Sequence, residues 1–230
     1  MAQHLQREIE QLKKKILSLG ASVEGSVRKA VSSVQQRDTA LAERVIAGDV
    51  EIDQLEVDLE EDCLKILALH QPVAIDLRFI VAVLKINNDL ERIGDLATNI
   101  SERAVFLASR QQITTPYDLS AIAEKAQVMV RRSLDSLVNL DASLARDVCR
   151  MDDDVDALNR EAFERAKNAI QRHPEQVDIL IAYLSVSRYL ERIADHATNI
   201  AEDVIYMTEG VIARHRAESP GLTSPGDMSA

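Results

Sequence analysis

Pairs of acidic residues spaced four positions apart occur four times in this chain. On a helix, this spacing places both carboxylates on one face, and like charges there repel at a cost of about 0.2–0.5 kcal/mol per pair. A bound cation would offset the repulsion, and an all-oxygen ligand set favours hard or borderline ions such as iron, manganese, magnesium or calcium. The pairs are Asp49 with Asp53, Glu91 with Asp95, Asp152 with Asp156, and Glu191 with Asp195.

The four pairs belong to two copies of a repeated unit. Residues 90–100 read LERIGDLATNI and residues 190–200 read LERIADHATNI, so only two positions differ. A weaker match earlier in the chain, at a shift of 103 residues, brings Asp49 and Asp53 onto Asp152 and Asp156. These ordered matches indicate an internal duplication of about one hundred residues.

Two prolines predict how the acid pairs face each other. Pro72 and Pro174 interrupt helical sequence, and the helices on either side of such a turn are expected to run antiparallel. The members of each facing pair are equally distant from the turn. Each copy is therefore predicted to hold four carboxylates at one level on two adjacent helices. The facing pairs are Asp49 with Asp95, Asp53 with Glu91, Asp152 with Asp195, and Asp156 with Glu191.

An apolar stripe predicts the direction in which the acids of the first copy point. At about 100° per residue, Glu91, Asp95, Asn99 and Glu102 lie opposite this stripe, away from the core of their own bundle. Any solvated helix displays an acidic outer face, so a purely structural helical protein without metal stays open as an alternative. The stripe comprises Ile86, Leu90, Ile93, Ala97, Ile100 and Ala104.

The elements that position these acids are predicted to be helices throughout. Seven glycines, five prolines and 3% aromatic residues favour long helices over a sheet-built core. Asp38 is a plausible N-cap after a long first helix, Gly48 predicts a kink or restart, and Asp118 or Ser120 can cap the helix after a polar linker. The sequence predicts an all-α fold of two tandem three-helix bundles, residues 1–112 and 118–214, followed by a disordered, mobile tail at 215–230.

Composition excludes several classes of function. The net charge of −11 opposes unassisted binding to nucleic acid or to an anionic membrane. The chain has no run of eighteen apolar residues and no export-type start, so we expect a cytoplasmic protein without a membrane span. It also lacks a Gly-rich phosphate loop, a Ser/His/Asp set and a reactive Cys/His pair. The sequence therefore gives no support for phosphate binding by this chain itself.

Two segments of the first copy carry a family resemblance. Residues 71–78 read QPVAIDLR and residues 88–95 read NDLERIGD, and together they resemble the most recognisable part of the PhoU family. The resemblance covers nearly the whole chain apart from the tail. The second copy departs from it, reading HPEQVDIL at 173–180, so any role specific to the first segment belongs to the first copy.

The resemblance implies a set of metal ligands. Members of this family fold as two three-helix bundles and bind multinuclear iron or zinc clusters at the bundle surface through repeated Glu/Asp-x-x-x-Asp motifs; manganese or magnesium would also suit oxygen ligands. By match to these motifs, the eight carboxylates of the four pairs are the expected ligands. Four further residues repeat on the same faces and are expected to be outer ligands or partner contacts: Asn99, Glu102, Asn199 and Glu202.

The resemblance also implies a regulatory function. It predicts a non-enzymatic, metal-binding negative regulator of phosphate uptake and of the phosphate-starvation response. Such a protein couples the Pst phosphate transporter, through its ATPase, to a sensor histidine kinase. We expect a homodimer that is cytoplasmic and reaches the inner membrane only through protein partners.

A ferritin-like di-metal carboxylate enzyme is the alternative from a different class. Such enzymes use Glu-x-x-His motifs in the bundle core, whereas the residues three positions before the five histidines are Met, Leu or Ile. His196 follows Asp195, but a neighbouring residue points about 100° away around a helix, so it is not placed among the ligands. His70 and His173 flank the turns and are predicted to be polar turn residues.

Two features have a simpler structural interpretation. The Asp152–Asp154 run would suit a helix start, where acidic side chains favour the helix dipole, although only Asp152 repeats the position of Asp49. Arg92 and Arg192 are predicted to form surface ion pairs with neighbouring acids, or to contact an anionic ligand.

Overall fold

Six amphipathic segments form α-helices in the computed structural model of the chain, which describes residues 2–210. These residues contain no β-strand, in agreement with the all-α prediction. A short 3-10 turn, Pro174–Gln176, precedes the last helix. The predicted mobile tail at 215–230 lies outside the described residues. The helices are α1 (Ala2–Gln36), α2 (Thr39–His70), α3 (Ala74–Ala108), α4 (Leu119–Asn139), α5 (Ala142–Arg172) and α6 (Val177–Glu209).

Aspartate side chains cap the N-termini of three of these helices. Asp38 accepts a hydrogen bond from the backbone N–H of Leu41 at 2.9 Å and starts α2. Asp118 starts α4 in the same way, and Asp141 starts α5. Each cap satisfies a backbone donor that has no partner inside the helix. The prediction of Asp38 and Asp118 as caps is therefore confirmed.

Helix α2 is continuous across Gly48, so the predicted kink or restart there is wrong. A glycine inside a helix costs only about 1 kcal/mol relative to alanine. The buried side chains of Val45 and Ile52, on either side of Gly48, anchor α2 to its bundle. The packing of α2 therefore outweighs the local preference of glycine.

Two further sequence interpretations depend on where helices begin and turn. Because α5 begins at Ala142, Asp152 lies well inside this helix, and the helix-start interpretation of the Asp152–Asp154 run is wrong. At the turn between α2 and α3, Gln71 has φ 44° and Ala74 has φ 51°. This left-handed backbone around Pro72 reverses the chain, so α2 and α3 pack side by side as predicted.

Helices α1–α3 pack together as one three-helix bundle and α4–α6 as the second. Helices α3 and α6 are the most buried and also pack against each other, joining the two bundles. All six side chains of the predicted apolar stripe on α3 are at most 1% exposed. Among the described residues, none of the helices combines the length and apolarity needed to cross a membrane.

Candidate metal centres

The first acid cluster lies between α2 and α3. Burial raises the pKa of Asp49, and the charges of Asp53 and Asp95 raise it further. Burial also raises the pKa of Glu91, as do the charges of Asp95 and Asp53. A Cβ atom built on Gly94 of α3 would lie 3.7 Å from Asp49 Oδ1, which shows how closely the two helices approach. The structure therefore brings the four predicted carboxylates together.

The second cluster repeats this arrangement between α5 and α6. Burial, followed by the charges of Asp195 and Asp156, raises the pKa of Asp152 to about 6. The pKa of Glu191 is raised by burial and by the same two aspartates. That of Asp195 is raised by burial and by Asp156. The prediction that acids equally distant from a turn proline face each other is thus correct for both clusters, in that their charges are neighbours.

The clusters lie on the surface, in the grooves where two helices meet. Asp53 and Asp195 are exposed, and the other six carboxylates are partly buried. Partial burial explains why loss of hydration is the largest cause of each raised pKa. None of the eight lies in the hydrophobic core, where a ferritin-like site would place its ligands.

Arginines neutralise only part of this charge. Arg92 Nη1 lies 3.1 Å from Asp95 Oδ2, and Arg92 Nε lies 3.3 Å from Glu91 Oε2. In the second cluster, Arg160 Nη1 lies 3.4 Å from Asp156 Oδ2. The ion-pair prediction for Arg92 is confirmed. Glu91 Oε2 is nevertheless buried, and no donor among the described residues reaches it with hydrogen-bond geometry.

Two threonines at matching positions were missed by sequence reasoning. The hydroxyls of Thr98 and Thr198 partly offset the rise in the pKa of Asp49 and of Asp152, respectively. Neither hydroxyl oxygen makes a hydrogen bond of normal geometry among the described residues. Their recurrence in the repeated segment LERI-x-D-x-ATNI was the signal that could have identified them.

The oxygens of each cluster are neighbours but do not form a closed cage. Within residues 2–210, no three Asp, Glu, His or Cys side chains converge closely enough to hold a metal ion as they stand. The donor set is what a hard cation requires, since it is oxygen-rich, incompletely neutralised and partly desolvated. Ion binding would therefore require the side chains to rotate on their helices.

The expected outer ligands have different surroundings. Asn199 donates to Asp89 Oδ1 at 3.2 Å. Glu102 is exposed, with a carboxylate oxygen 3.8 Å from Arg103. Burial raises the pKa of Cys149 on α5, and the charge of Glu202 raises it further. Asn99 is partly buried on α3.

The histidines interact mainly with single acids. His196 Nδ1 lies 2.8 Å from Asp89 Oδ1, across the junction of the two bundles. At the ends of the turns, His70 Nε2 lies 2.7 Å from Glu8 Oε2, and His173 Nδ1 lies 3.2 Å from Glu175 Oε1. His173 lies in the turn before α6, as predicted, whereas His70 is the last residue of α2.

Comparison with known proteins agrees with the duplicated architecture. The PhoU domain matches this chain twice, at residues 16–104 and 119–204. A phosphate-specific transport system accessory protein PhoU homolog of Aquifex aeolicus is 38% identical over 210 residues, covering 91% of this chain and 95% of the relative. The protein of the same description from Pseudomonas putida is 36% identical to this chain over 216 residues, which cover 94% of this chain and 84% of the relative.

Two solved structures share the fold. The crystal structure of PhoU from Pseudomonas aeruginosa superposes with a TM-score of 0.87 at 35% identity, covering 90% of this chain and 99% of that one. The phosphate transport system regulatory protein PhoU from Streptococcus pneumoniae gives a TM-score of 0.81 at 27% identity, covering 90% and 98%.

Proposed function

The chain belongs to the PhoU domain family, and from this membership we propose that it is a metal-binding regulator of phosphate uptake. Its named relatives are accessory proteins of a phosphate-specific transport system. In the proposed role, the chain couples the transporter ATPase to a sensor histidine kinase and restrains the phosphate-starvation response. It acts without enzymatic turnover, as a cytoplasmic homodimer that reaches the membrane only through these partners.

The metal part of the proposal rests on one observation: in each repeat, burial and the charge of a carboxylate on the neighbouring antiparallel helix raise the pKa of cluster acids. These acids are Asp49 and Glu91 in the first repeat, and Asp152, Glu191 and Asp195 in the second. Raised pKa values mean that the ionised clusters are electrostatically strained in the folded protein. A divalent or trivalent cation relieves that strain, and carboxylates can bridge several metal ions. Iron or zinc is the expected metal by family resemblance.

The residues of each cluster would hold the ions between two helices of one bundle. In the first repeat these are Asp49 and Asp53 from α2 with Glu91 and Asp95 from α3. In the second they are Asp152 and Asp156 from α5 with Glu191 and Asp195 from α6. A bound ion supplies positive charge that links the two helices of each groove. The bundle surface that partners meet would then depend on metal status.

Metal analysis of paired variants tests the site assignment. Asp49→Asn with Glu91→Gln removes two charges from the first cluster, and Asp152→Asn with Glu191→Gln does the same in the second. Asp58→Asn with Glu60→Gln is the matched control, because it removes two exposed acids of α2 outside the clusters. Each cluster variant should lose about half of the bound metal by mass spectrometry of native protein, while the control keeps all of it. Equal metal content in all three would refute the assignment.

The regulatory part is tested separately. Cells that lack the gene for this chain should express a phosphate-starvation reporter in phosphate-rich medium, and the wild-type gene should silence it. Metal-loaded protein should also bind the purified transporter ATPase and the cytoplasmic part of the kinase. Binding to neither would remove the coupling role, whatever the metal analysis shows.

A further inference from the structure

The outer face of α2 carries an unusual apolar stripe. Val50, Val57 and Leu64 are spaced seven residues apart and are 67%, 44% and 53% exposed. Residues at this spacing lie within about 20° of each other per step, so they form a nearly straight line along the helix. The stripe lies opposite the buried face of α2 that carries Ile52 and Leu59. Nothing in α2's own bundle covers it.

Uncompensated acids flank the stripe on both sides. At about 100° per residue, Asp53 and Glu60 lie on one side of it and Glu61 on the other. No Lys or Arg among residues 2–210 lies within ion-pair distance of these three carboxylates. Altogether α2 has nine Asp or Glu residues against two Lys or Arg, so much of the chain's net charge of −11 is concentrated on this helix.

The duplicated helix provides an internal comparison. At the shift of 103 residues, the stripe positions correspond to Asp153, Arg160 and Lys167 of α5, all charged and exposed. Helix α5 has seven acids against six bases. Its outer cations are paired within the chain, since Arg160 lies 3.4 Å from Asp156 and Lys167 lies 3.9 Å from Glu164. The outer face of α5 is therefore an ordinary charged surface, whereas the equivalent face of α2 is apolar and flanked by acids.

From this contrast we propose that the outer face of α2 docks a basic amphipathic helix of a partner protein. The partner's apolar side chains would cover Val50, Val57 and Leu64, and its Lys or Arg residues would pair with the flanking acids. Charge complementarity selects this occupant. A second copy of this chain would bring one acidic α2 against another, and an anionic membrane would meet the same repulsion. This docking face does not require metal, because Glu60 and Glu61 lie outside the carboxylate clusters; Asp53 is the one acid that it shares with the first cluster.

Peptide binding tests the proposal directly. The probe is a synthetic helix of 21 residues that carries leucines at seven-residue spacing with flanking lysines. The substitutions Val50→Gln, Val57→Gln and Leu64→Gln remove the stripe without changing the charge. They should weaken binding at least about tenfold, since a few side chains buried at the centre of a contact supply most of its affinity. A peptide with glutamates in place of the lysines should not bind wild-type protein.

The matched control replaces three exposed apolar residues elsewhere. Val73→Gln, Ile75→Gln and Val138→Gln make the same chemical change at positions that are 74%, 69% and 54% exposed. This variant should bind the basic peptide as wild type does. Equal binding by the stripe variant and wild type, or equal loss in both variants, would overturn the assignment. Thermal melting of each variant verifies that the fold is retained.

Photo-crosslinking in cells identifies the natural occupant. A benzophenone amino acid at position 57 of the full chain should crosslink to a partner segment in which Lys or Arg flank apolar residues at helical spacing. The same probe at position 160 of α5 should not capture that segment. Crosslinks from position 57 to a second copy of this chain, or to an acidic segment, would refute the proposal. So would a change of the chain from dimer to monomer on removal of the stripe.

Discussion

The raised pKa of Asp152 makes stability depend on pH in a definite direction. An aspartate with its ordinary pKa of 3.8 titrates near pH 4, whereas Asp152 in the folded protein titrates at about 6. The folded state therefore holds this proton more tightly than the unfolded state, and ionisation above pH 6 destabilises the fold. This destabilisation is relieved as the pH falls from about 6 to about 4.

Asp152→Asn should consequently stabilise metal-free protein at pH 7.5 and have little effect at pH 4. After discounting for solvent screening of this half-exposed group, the gain is about 1 kcal/mol, or about 2–4 °C in Tm. Thermal melts in the presence of a chelator measure it. Asp153→Asn, one position along at an exposed site, should change Tm less. A Tm of Asp152→Asn below that of the wild type at pH 7.5 would contradict the electrostatic explanation. So would a Tm difference between the two proteins that does not vary with pH.

The grouping of the acids was predictable because it follows from helix geometry and turn position alone. The hydrogen-bond partners of the individual side chains were not predictable, because they depend on side-chain rotamers and on contacts with the second bundle. Asn199 looked like an outer ligand by its place in the repeat, yet it donates to Asp89 across the junction. Spacing along one helix contains no information about which neighbouring helix lies opposite.

At the scale of the elements, Gly94 allows α2 to approach α3 closely. A Cβ atom at this position would lie 3.2 Å from Ile52 Cγ2, closer than ordinary van der Waals contact. The second repeat has Ala194 where the first has Gly94, and Val155 where the first has Ile52. Each copy thus pairs a smaller residue on one helix with a larger one on the other, as close packing requires.

A double-mutant cycle tests this pairing. Gly94→Ala alone combines a gain in helix propensity of about 1 kcal/mol with a steric cost against Ile52, so its net effect should be small. Ile52→Val alone should cost about 0.5–1.5 kcal/mol. Together the two changes reproduce the pair of the second repeat and should be more stable than their sum by at least about 0.5 kcal/mol. Urea unfolding of the four proteins measures this coupling. Strict additivity would show that the pair does not interact.

Two helix starts were predicted from a capping side chain, Asp38 and Asp118, whereas the equivalent cap Asp141 at the start of α5 was not predicted. The kink predicted at Gly48 failed because a local preference of about 1 kcal/mol is small beside the packing of a 32-residue helix. The space around Gly48 is open, with no atom within 4 Å of a built Cβ. This glycine therefore serves no close approach, unlike Gly94.

At the scale of the whole molecule, the junction of the two bundles uses polar residues at positions where the repeats differ. Asp89 and Lys85 of α3 correspond to Tyr189 and Ser185. Lys85 Nζ lies 3.2 Å from Asp203 Oδ1, and the side chain of Asp203 is 3% exposed. The duplication predicted two similar bundles but not how they join, because the ion pairs across the junction use residues that differ between the repeats: Asp89 and His196, and Lys85 and Asp203.

The link between His196 and Asp89 should therefore contribute to the stability of the whole molecule. His196 Nδ1–H donates to a carboxylate that is only 10% exposed, and its counterpart in the first repeat is Leu96. His196→Leu leaves Asp89 with Asn199 as its remaining partner and should cost about 1–3 kcal/mol. Asp89→Leu combined with His196→Leu should cost less than the two single changes added together, because neither polar group is then left buried without its partner. Urea unfolding measures both, with His173→Leu at an exposed turn as the control. If His196→Leu lowers the free energy of unfolding no more than His173→Leu does, the junction is held by apolar packing alone.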